Sequence, residues 1–552
     1  MIKRLADLSS RRWFGALVLG VLAFILYLAT AARYATFGDG PELAAAAYQL
    51  GVPHPTGYPL YMLLTHLFIR LIPVGEVIFR TTLFSAVTCA AAVGVLYVLG
   101  TLVLRQRWVA AFVAALFAVS ETFWGQAVLT EVYGLHMLLT LAALTCLVFW
   151  DRTGTPTLVL WAAFFVGLSL THHLMSVMWL PAMVLILVTS RHREQLRGQW
   201  RPMVLLVLAP LLLYLYLPIA AFRDPPMNWG DPRTLRNFLD HVTGAQYRFK
   251  MGYQSWASLW HNLYNYGGWP QDHVCDGYLL TQFSVAIIWL APVGIWSQWR
   301  RNRRLLWIMA AAYAFPLAWA LAYNIPDPDA YYLPSHVIVA LWIGQGLREL
   351  VTRLAQRLRH TRLTRVELQR TLGILHVGLF VLPALVLTAN YEVNNKSRLR
   401  EIKGLGHEAL KKLPRGACLV ASGDDWGFAV LYAQNVDGVR PDVVILFEPY
   451  FQYRTWRLVQ RERRRGLVIE EAACSRAAVK KDDHGLCRLW RVVLDNYRRV
   501  PIYIGGPLAK KLDESKITKR KLPKYEHIVE RVPFIHFLPN SKSEQPSPEL
   551  YR

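Results

Sequence analysis

Cysteine is scarce in this chain of 552 residues: there are six, none in a C-x-x-C pair and none at metal-ligand spacing. That excludes a zinc ribbon or a thioredoxin-like redox motif. Cys89 and Cys146 fall inside apolar runs and read as packing residues. Cys474 and Cys487 fall in the tail, where they can pair if that region lies outside the cytoplasm. Acidic residues are also few, 37 against 61 Lys and Arg, leaving a net charge of +24. Such an excess suits nucleic acid, but its placement does not: the arginines cluster in short segments between apolar runs, as the positive-inside rule expects. Glycine-rich phosphate loops, H-E-x-x-H and G-x-S-x-G are all missing, which removes support for nucleotide hydrolysis, zinc proteolysis and α/β-hydrolase chemistry. No internal repeat and no long low-complexity segment is present.

What is abundant is apolar. Hydrophobic residues make up 54% of the chain. The fold class that follows is a polytopic α-helical membrane protein with a C-terminal extracytoplasmic α/β domain. The hydropathy pattern predicts about eleven spans, at 13–32, 80–104, 108–123, 131–150, 157–171, 174–190, 203–222, 279–299, 305–323, 333–350 and 372–390. The first resembles a signal peptide but runs on to Ala32 without a small-residue cleavage site, so it reads as a retained anchor. With the N-terminus in the cytoplasm, the inner connections Arg105 to Arg107, Arg191 to Arg201, Arg300 to Arg304 and Arg348 to Arg370 are rich in arginine. The outer ones are acidic, aromatic and proline-rich by comparison. The location implied is the plasma (inner) membrane, among membrane lipids, with no nucleic-acid partner. Residues 1–390 form the transmembrane module. Residues 391–538, where β-branched runs at Ala417 to Ala421, Asp442 to Phe447 and Pro501 to Ile504 alternate with charged helical stretches, form the α/β domain. Residues 539–552 read as a disordered tail.

The stretch from Phe37 to Arg70 organises the candidate site. It places Asp39 and Glu42 just past the first apolar run, then a small-residue helix, a rigid His-Pro-Thr-Gly-Tyr-Pro turn carrying His54 and Tyr58, and a second apolar segment, Tyr58 to Ile72. That segment is about 15 residues long, short for a span, and reads as an interfacial or re-entrant helix. Other polar candidates fall on the same predicted side. They are Glu131 at the mouth of the fourth span, His172 and His173 between the fifth and sixth, and Arg223, Asp224, Asn228 and Asp231 at the start of the 223–278 loop. Asp327, Asp329 and Tyr331 lie in the 324–332 loop. The 223–278 loop is too polar to span and too long for a plain connection, so a folded lid or a pair of interfacial helices is expected. Each group also has a plain structural reading. Glu131 reads equally as a helix-start carboxylate, the histidines as a satisfied turn, and Tyr331 as part of an interfacial aromatic belt.

Five pieces together resemble a known family: GDGPELAAAAYQLGVPHPTGYPLYMLL, WGQAVLTEVYGLHMLL, GLSLTHHLMSVMWLPA, YLPIAAFRDPPMNWGDPRTLRNFLDHVTGAQY and, in the tail, GDDWGFAVLYAQNVDGVRPDVVIL. The chain is similar to the GT-C membrane glycosyltransferases, in the branch whose eukaryotic relatives are tied to protein O-mannosylation. That branch reads Asp-x-Gly-Glu where this chain has Asp39-Gly40-Pro41-Glu42, so the carboxylate spacing is kept. The resemblance implies inverting transfer of a sugar from a polyprenyl-phosphate donor to an acceptor hydroxyl on a protein, lipid or glycan outside the cytoplasm. It implies Asp39 as general base, with Glu42 or Glu131 orienting the acceptor or sharing the role. His54, Tyr58, His172, His173, Arg223, Asn228, Asp231, Asp327 and Tyr331 would contact substrate, with His172, His173 and Arg223 at the departing phosphate. No metal ligand set is assigned, though a divalent ion is compatible with the carboxylates. Two other classes fit the composition: a transporter or flippase of lipid-linked substrates, and a non-catalytic membrane scaffold. The first calls for charges lining a pathway through the spans, whereas the carboxylates here gather at one predicted face.

Overall fold

The computed structural model describes residues 2–252, 255–267, 277–325, 327–361, 364–452, 467, 489, 492–493, 495–505, 508, 525–528 and 534–537. Cys474, Cys487 and the 539–552 tail therefore lie outside the described residues. The chain forms two compact units, and neither is continuous in sequence. One gathers residues 1–31, 82–213 and 247–397; the other gathers 32–81, 214–246 and 398–552.

The first unit is helical. Each of the eleven expected apolar segments lies on helix, in places interrupted. Among the described residues, six helices are long and apolar enough to cross a membrane: Arg12–Thr30, Val77–Leu104, Tyr133–Thr153, Arg193–Phe222, Arg303–Ala322 and Arg365–Asn394. A seventh crossing is available if Arg107–Ala118 and Glu121–Val128, bent by 63° at their junction, act as one. Leucine, isoleucine and valine project outward from several of these helices, as at Leu205, Leu208, Leu212, Ile374, Val377 and Leu385. So much exposed apolar surface on long helices suits a lipid environment and not water.

Two expected spans are broken, each for a local reason. Between Ala118 and Glu121, Ser120 adopts an extended backbone and its hydroxyl donates to the Phe117 carbonyl at 2.8 Å, so the ladder stops and restarts. In 279–299 the break falls at Ser284, whose φ is +62°. Its hydroxyl accepts from the Ala286 amide as the next turn begins. The helix Arg365–Gly378 opens with a reciprocal capping box between Thr364 and Glu367.

The core of this unit is aromatic, with Phe112, Phe117, Phe123, Trp124, Trp150 and Trp179 all fully buried. Two polar atoms here find partners where the chain crosses itself: Tyr27 donates to the Ala118 carbonyl at 2.8 Å and the Trp124 indole to Thr30 at 2.9 Å. Helices Leu290–Arg301 and Leu333–Leu358 touch through glycines. A Cβ on Gly294 would sit 2.0 Å from the Trp342 carbonyl oxygen, and one on Gly346 would sit 2.0 Å from that of Leu290. The small residues let two backbones approach, the usual device of helix pairs in lipid. Beyond the crossing, buried Glu349 accepts from Ser297, Arg301 and Arg353, all within 3.1 Å.

The second unit holds a five-stranded sheet. Strands β1 (Cys418–Ala421), β2 (Val444–Phe447), β3 (Ile502–Gly505), β4 (Tyr525–Ile528) and β5 (Phe534–Phe537) lie in the order β2-β1-β3-β5-β4. The first three coincide with the β-branched runs in the sequence and pair in parallel; β5 and β4 are antiparallel. Strands β1 and β3 are buried at every residue, which is why they read as continuous apolar runs without alternation. The helix Asp424–Asn435 follows β1. Gly427 lets the Phe447 ring approach to where a Cβ would lie 2.4 Å from it. Residues 32–81 and 214–246, expected in the transmembrane module, group with the sheet in one compact unit.

The glycine crossing is directly testable. Gly346→Val should lower the melting temperature of the detergent-purified protein by several degrees and reduce its accumulation in membranes, since overpacking a tight contact costs about 1–3 kcal/mol. Gly373→Val, at a helical glycine where an added Cβ meets nothing within 4 Å, is the matched control.

Candidate active site

Asp39 sits just ahead of helix Gly40–Gln49, whose Pro41 occupies the first turn, where a missing N–H costs nothing. Gly40 through Ala47 are all buried, so the small residues seat this helix tightly and the sequence AAAA follows from the space available. The two carboxylates then meet different fates. Asp39 remains 46% exposed at its side chain, whereas Glu42, one turn in, is at 0%.

Glu42 is buried because it has a partner. Its Oε1 accepts the backbone N–H of His54 at 2.7 Å, and its Oε2 lies 2.6 Å from His54 Nδ1. On the other side of the ring, Nε2 is 3.0 Å from the Tyr58 hydroxyl and 3.6 Å from Asp39 Oδ2. Burial by itself would drive the imidazole neutral. The charges of Glu42, Asp39 and Asp424, together with the hydrogen bond to Glu42, overcome it and push the His54 pKa up to about 10. His54 is therefore an imidazolium at neutral pH, clamped by one carboxylate and facing another.

The turn that holds His54 is anchored from a distance. Val52 forms a parallel bridge with Asn228: the Val52 N–H donates to the Met227 carbonyl at 2.8 Å, and the Trp229 N–H donates to the Val52 carbonyl at 2.9 Å. Gly51 is required here, since a Cβ would lie 2.4 Å from the Met227 oxygen. Gly57, at φ +87°, passes against Leu217 and the His241 ring. Asn228 donates to Asp231 at 3.3 Å, and Asp231 is held by Arg233 at 2.6 Å. Both Asn228 and Asp231 are buried and serve this loop. Trp229 packs edge-on to Tyr450 and Phe447 and tilted against Phe428. The Gly38 N–H donates to Asp425 at 2.7 Å. Arg223 is exposed at the end of helix Tyr216–Phe222, where its backbone N–H closes the last turn.

The helical unit assembles a second group. Glu131 is half-buried, its backbone N–H and C=O both bonded to the Ser85 hydroxyl near 3.0 Å. His172 and His173, expected on a surface turn, are buried instead: the turn folds back under helix Tyr133–Thr153, and His172 Nε2 lies 2.7 Å from the Val132 carbonyl. His173 Nδ1 accepts from the Met175 amide at 3.2 Å. The His173 ring lies 5.3 to 6.0 Å from those of His136, Tyr133 and Tyr331. Asp327 is exposed, while its neighbour Asp329 is pushed by burial, with Asp327 adding, to a pKa of about 6.

Within the sheet unit, then, Asp39, Glu42, His54 and Tyr58 converge, and Asn228 and Asp231 buttress them. Within the helical unit Glu131, His172, His173 and Tyr331 lie close together. Sequence reading missed Asp424, His241 and Trp229 as neighbours of His54; the GDDWG motif was the available signal for the first. Among the described residues, no group of three or more His, Cys, Asp or Glu is arranged to hold a metal ion. Asp39 and Glu42 share a positively charged ring, which competes with any cation placed between them.

The family model for the protein O-mannosyl-transferase TMEM260 N-terminal domain matches residues 39–196, beginning at Asp39 itself. The mouse protein O-mannosyl-transferase TMEM260 is 27% identical over 448 residues, covering 76% of this chain and 60% of its own length. Its counterpart from Dictyostelium discoideum is 22% identical over 494 residues, covering 79% and 57%. The chain thus spans about three-fifths of the length of the curated relatives it matches. The crystal structure of ArnT from Cupriavidus metallidurans bound to undecaprenyl phosphate has the same fold at a TM-score of 0.53 and 12% identity, over 96% of this chain and 98% of that one. This is a GT-C fold, in a relative of the TMEM260 O-mannosyl-transferases. The kinship read from the sequence pieces holds.

The clamp on His54 makes stability depend on pH in a stated direction. A folded pKa of about 10 against an unfolded value of about 6.5 means that the contribution is fully present below pH 6.5 and is lost as pH rises through 10. The melting temperature of the wild type should fall across that window, and Glu42→Gln should flatten the fall. Parallel pH curves for the two proteins would show that the pair carries no such charge.

Proposed function

We propose that this chain is a membrane glycosyltransferase that moves a sugar from a polyprenyl-phosphate donor to an acceptor hydroxyl on the extracytoplasmic side. Asp39 is the general base. The observation that carries this reading is the division of labour between two carboxylates at the start of one helix: Glu42 is buried and saturated by His54, while Asp39 keeps a half-exposed oxygen beside the same ring. The similarity to proteins named O-mannosyl-transferases, and the fold shared with a protein crystallised with undecaprenyl phosphate, support the reaction class and the donor.

The chemistry is a single displacement. Asp39 takes the proton from the acceptor hydroxyl as the acceptor oxygen attacks the anomeric carbon. The bond from that carbon to the phosphate oxygen breaks on the opposite face, its electron pair leaves with the lipid phosphate, and the configuration inverts. The exposed Arg223 guanidinium would supply charge-assisted hydrogen bonds to the departing phosphate. In the helical unit, His172 and His173 remain candidates for a lipid phosphate, although the bond from His172 to Val132 leaves it less to offer. In this reading eleven segments cross the membrane, the N-terminus is cytoplasmic, and residues 391–538 lie outside.

Asp39→Asn preserves shape and removes proton acceptance. It should cost about 10²- to 10⁴-fold in transfer from a polyprenyl-phosphate sugar, measured with purified protein at equal membrane abundance. Near-normal transfer by this variant, or efficient transfer from a nucleotide sugar without lipid, overturns the reading. Topology is checked separately: reporter fusions after residues 360 and 395 should report opposite compartments, and an extracytoplasmic report at residue 360 overturns the proposed topology.

A further inference from the structure

Glu42 was expected to handle the acceptor, but its two oxygens are occupied by one histidine. His54 donates to it twice, through the backbone N–H at 2.7 Å and from Nδ1 at 2.6 Å. A glutamate buried to 0% that spends both oxygens on one residue fixes that residue in place and in charge. On the other edge of the ring, Nε2 lies 3.0 Å from the Tyr58 hydroxyl and 3.6 Å from Asp39 Oδ2. We infer that His54 is a positioning residue for the proposed base, a cation clamped by Glu42 whose charge keeps Asp39 ionised and whose ring edge aims it. The inference rests on the reading of Asp39 as base.

The surroundings of the ring are charged in one sense. From helix Gly40–Gln49 and the residue before it come Glu42 and Asp39, and from helix Asp424–Asn435 comes Asp424. From helix Leu235–Val242 comes His241, which burial, and then the charge on His54, push down to about 3 and hold neutral. Tyr58 is uncharged near neutrality, and Trp229 meets the ring edge-on at 6.3 Å. His54 is thus a cation set among three carboxylates, and its own pKa of about 10 keeps it charged throughout the working range. A second consequence follows for the donor. An anionic lipid phosphate approaching uncompensated Asp39 and Glu42 would be repelled, and the imidazolium halves that charge.

The test is the pH dependence of transfer. An opposite charge within about 4–6 Å lowers a carboxylate pKa by about 1–3 units, and a half-exposed group sits at the low end of that range because of solvent screening. Removing the charge should therefore raise the pH at which transfer reaches half its maximal rate. In His54→Gln, which keeps a hydrogen-bonding side chain without charge, that midpoint should rise by about one pH unit. His54→Lys, which returns a cation, should move it back. An unshifted midpoint in an active Gln variant overturns the inference. If the Gln variant does not accumulate, His54→Asn stands in for it, with the same rise expected and an unshifted midpoint overturning the inference. Asp39→Asn in the same assay separates the two levels. Loss of transfer at every pH with an unmoved His54→Gln midpoint removes only the role of His54. An active Asp39→Asn removes the base, and the positioning role with it.

Discussion

A buried carboxylate holding a histidine by both its backbone and its ring is the constraint from which the candidate site follows. Glu42 is out of water, so its charge must be met, and removing the partner of a buried ion is costly. His54 meets it only if the chain between them folds back within twelve residues. That return needs the left-handed turns at Leu50 and Tyr58, the close pass of Gly51 beneath Met227 and the bridge from Val52 to Asn228. The strained loop and the tight alanine helix are thus accounted for by one ion pair, and Asp39 inherits its surroundings from it.

Much of the helical architecture was legible beforehand. Arginine clusters between apolar runs marked where helices end, and Cys89 and Cys146 lie on helices as unpaired thiols, as their neighbours implied. The breaks were not legible. Ser120 and Ser284 interrupt helices through a hydroxyl competing for backbone groups and through a positive φ, and a serine among apolar residues carries no mark of either. The three parallel strands were visible as β-branched runs, because strands buried on both faces need no polar alternation.

For the site, the sequence indicated the right stretch but not the roles within it. Asp39 and Glu42 are three residues apart and look equivalent in one dimension; burial alone separates them. His54 stood out only as the head of a rigid turn, and nothing in HPTGYP announces that its ring is charged. Asp424 is nearly four hundred residues away, so its part in that charge is a product of tertiary packing. Asn228 and Asp231, read as substrate contacts, are buried and bonded to the loop, which is how polar residues near a site commonly serve it. In the 324–332 loop the exposed Asp327 drew equal notice to Asp329, yet Asp329 is the one whose proton affinity is raised by burial.

The interleaving of the two units carries a consequence for the order of events during synthesis. Residues 32–81 leave the ribosome early, but the partners that complete them are among the last to appear. The Gly38 amide waits for Asp425, the Gln49 side chain for the Asn435 carbonyl, and the Ile78 amide for the Tyr432 hydroxyl. Until then the chain carries a half-built loop through the insertion of every helix between. A ribosome pausing before residue 424 would leave a polypeptide with its apolar helices in place and the loop around its carboxylate pair lacking these three contacts. Quality control that senses unmet polar groups beside a membrane would find this intermediate, and would lose sight of it only when the final third of the chain closes over the first loop.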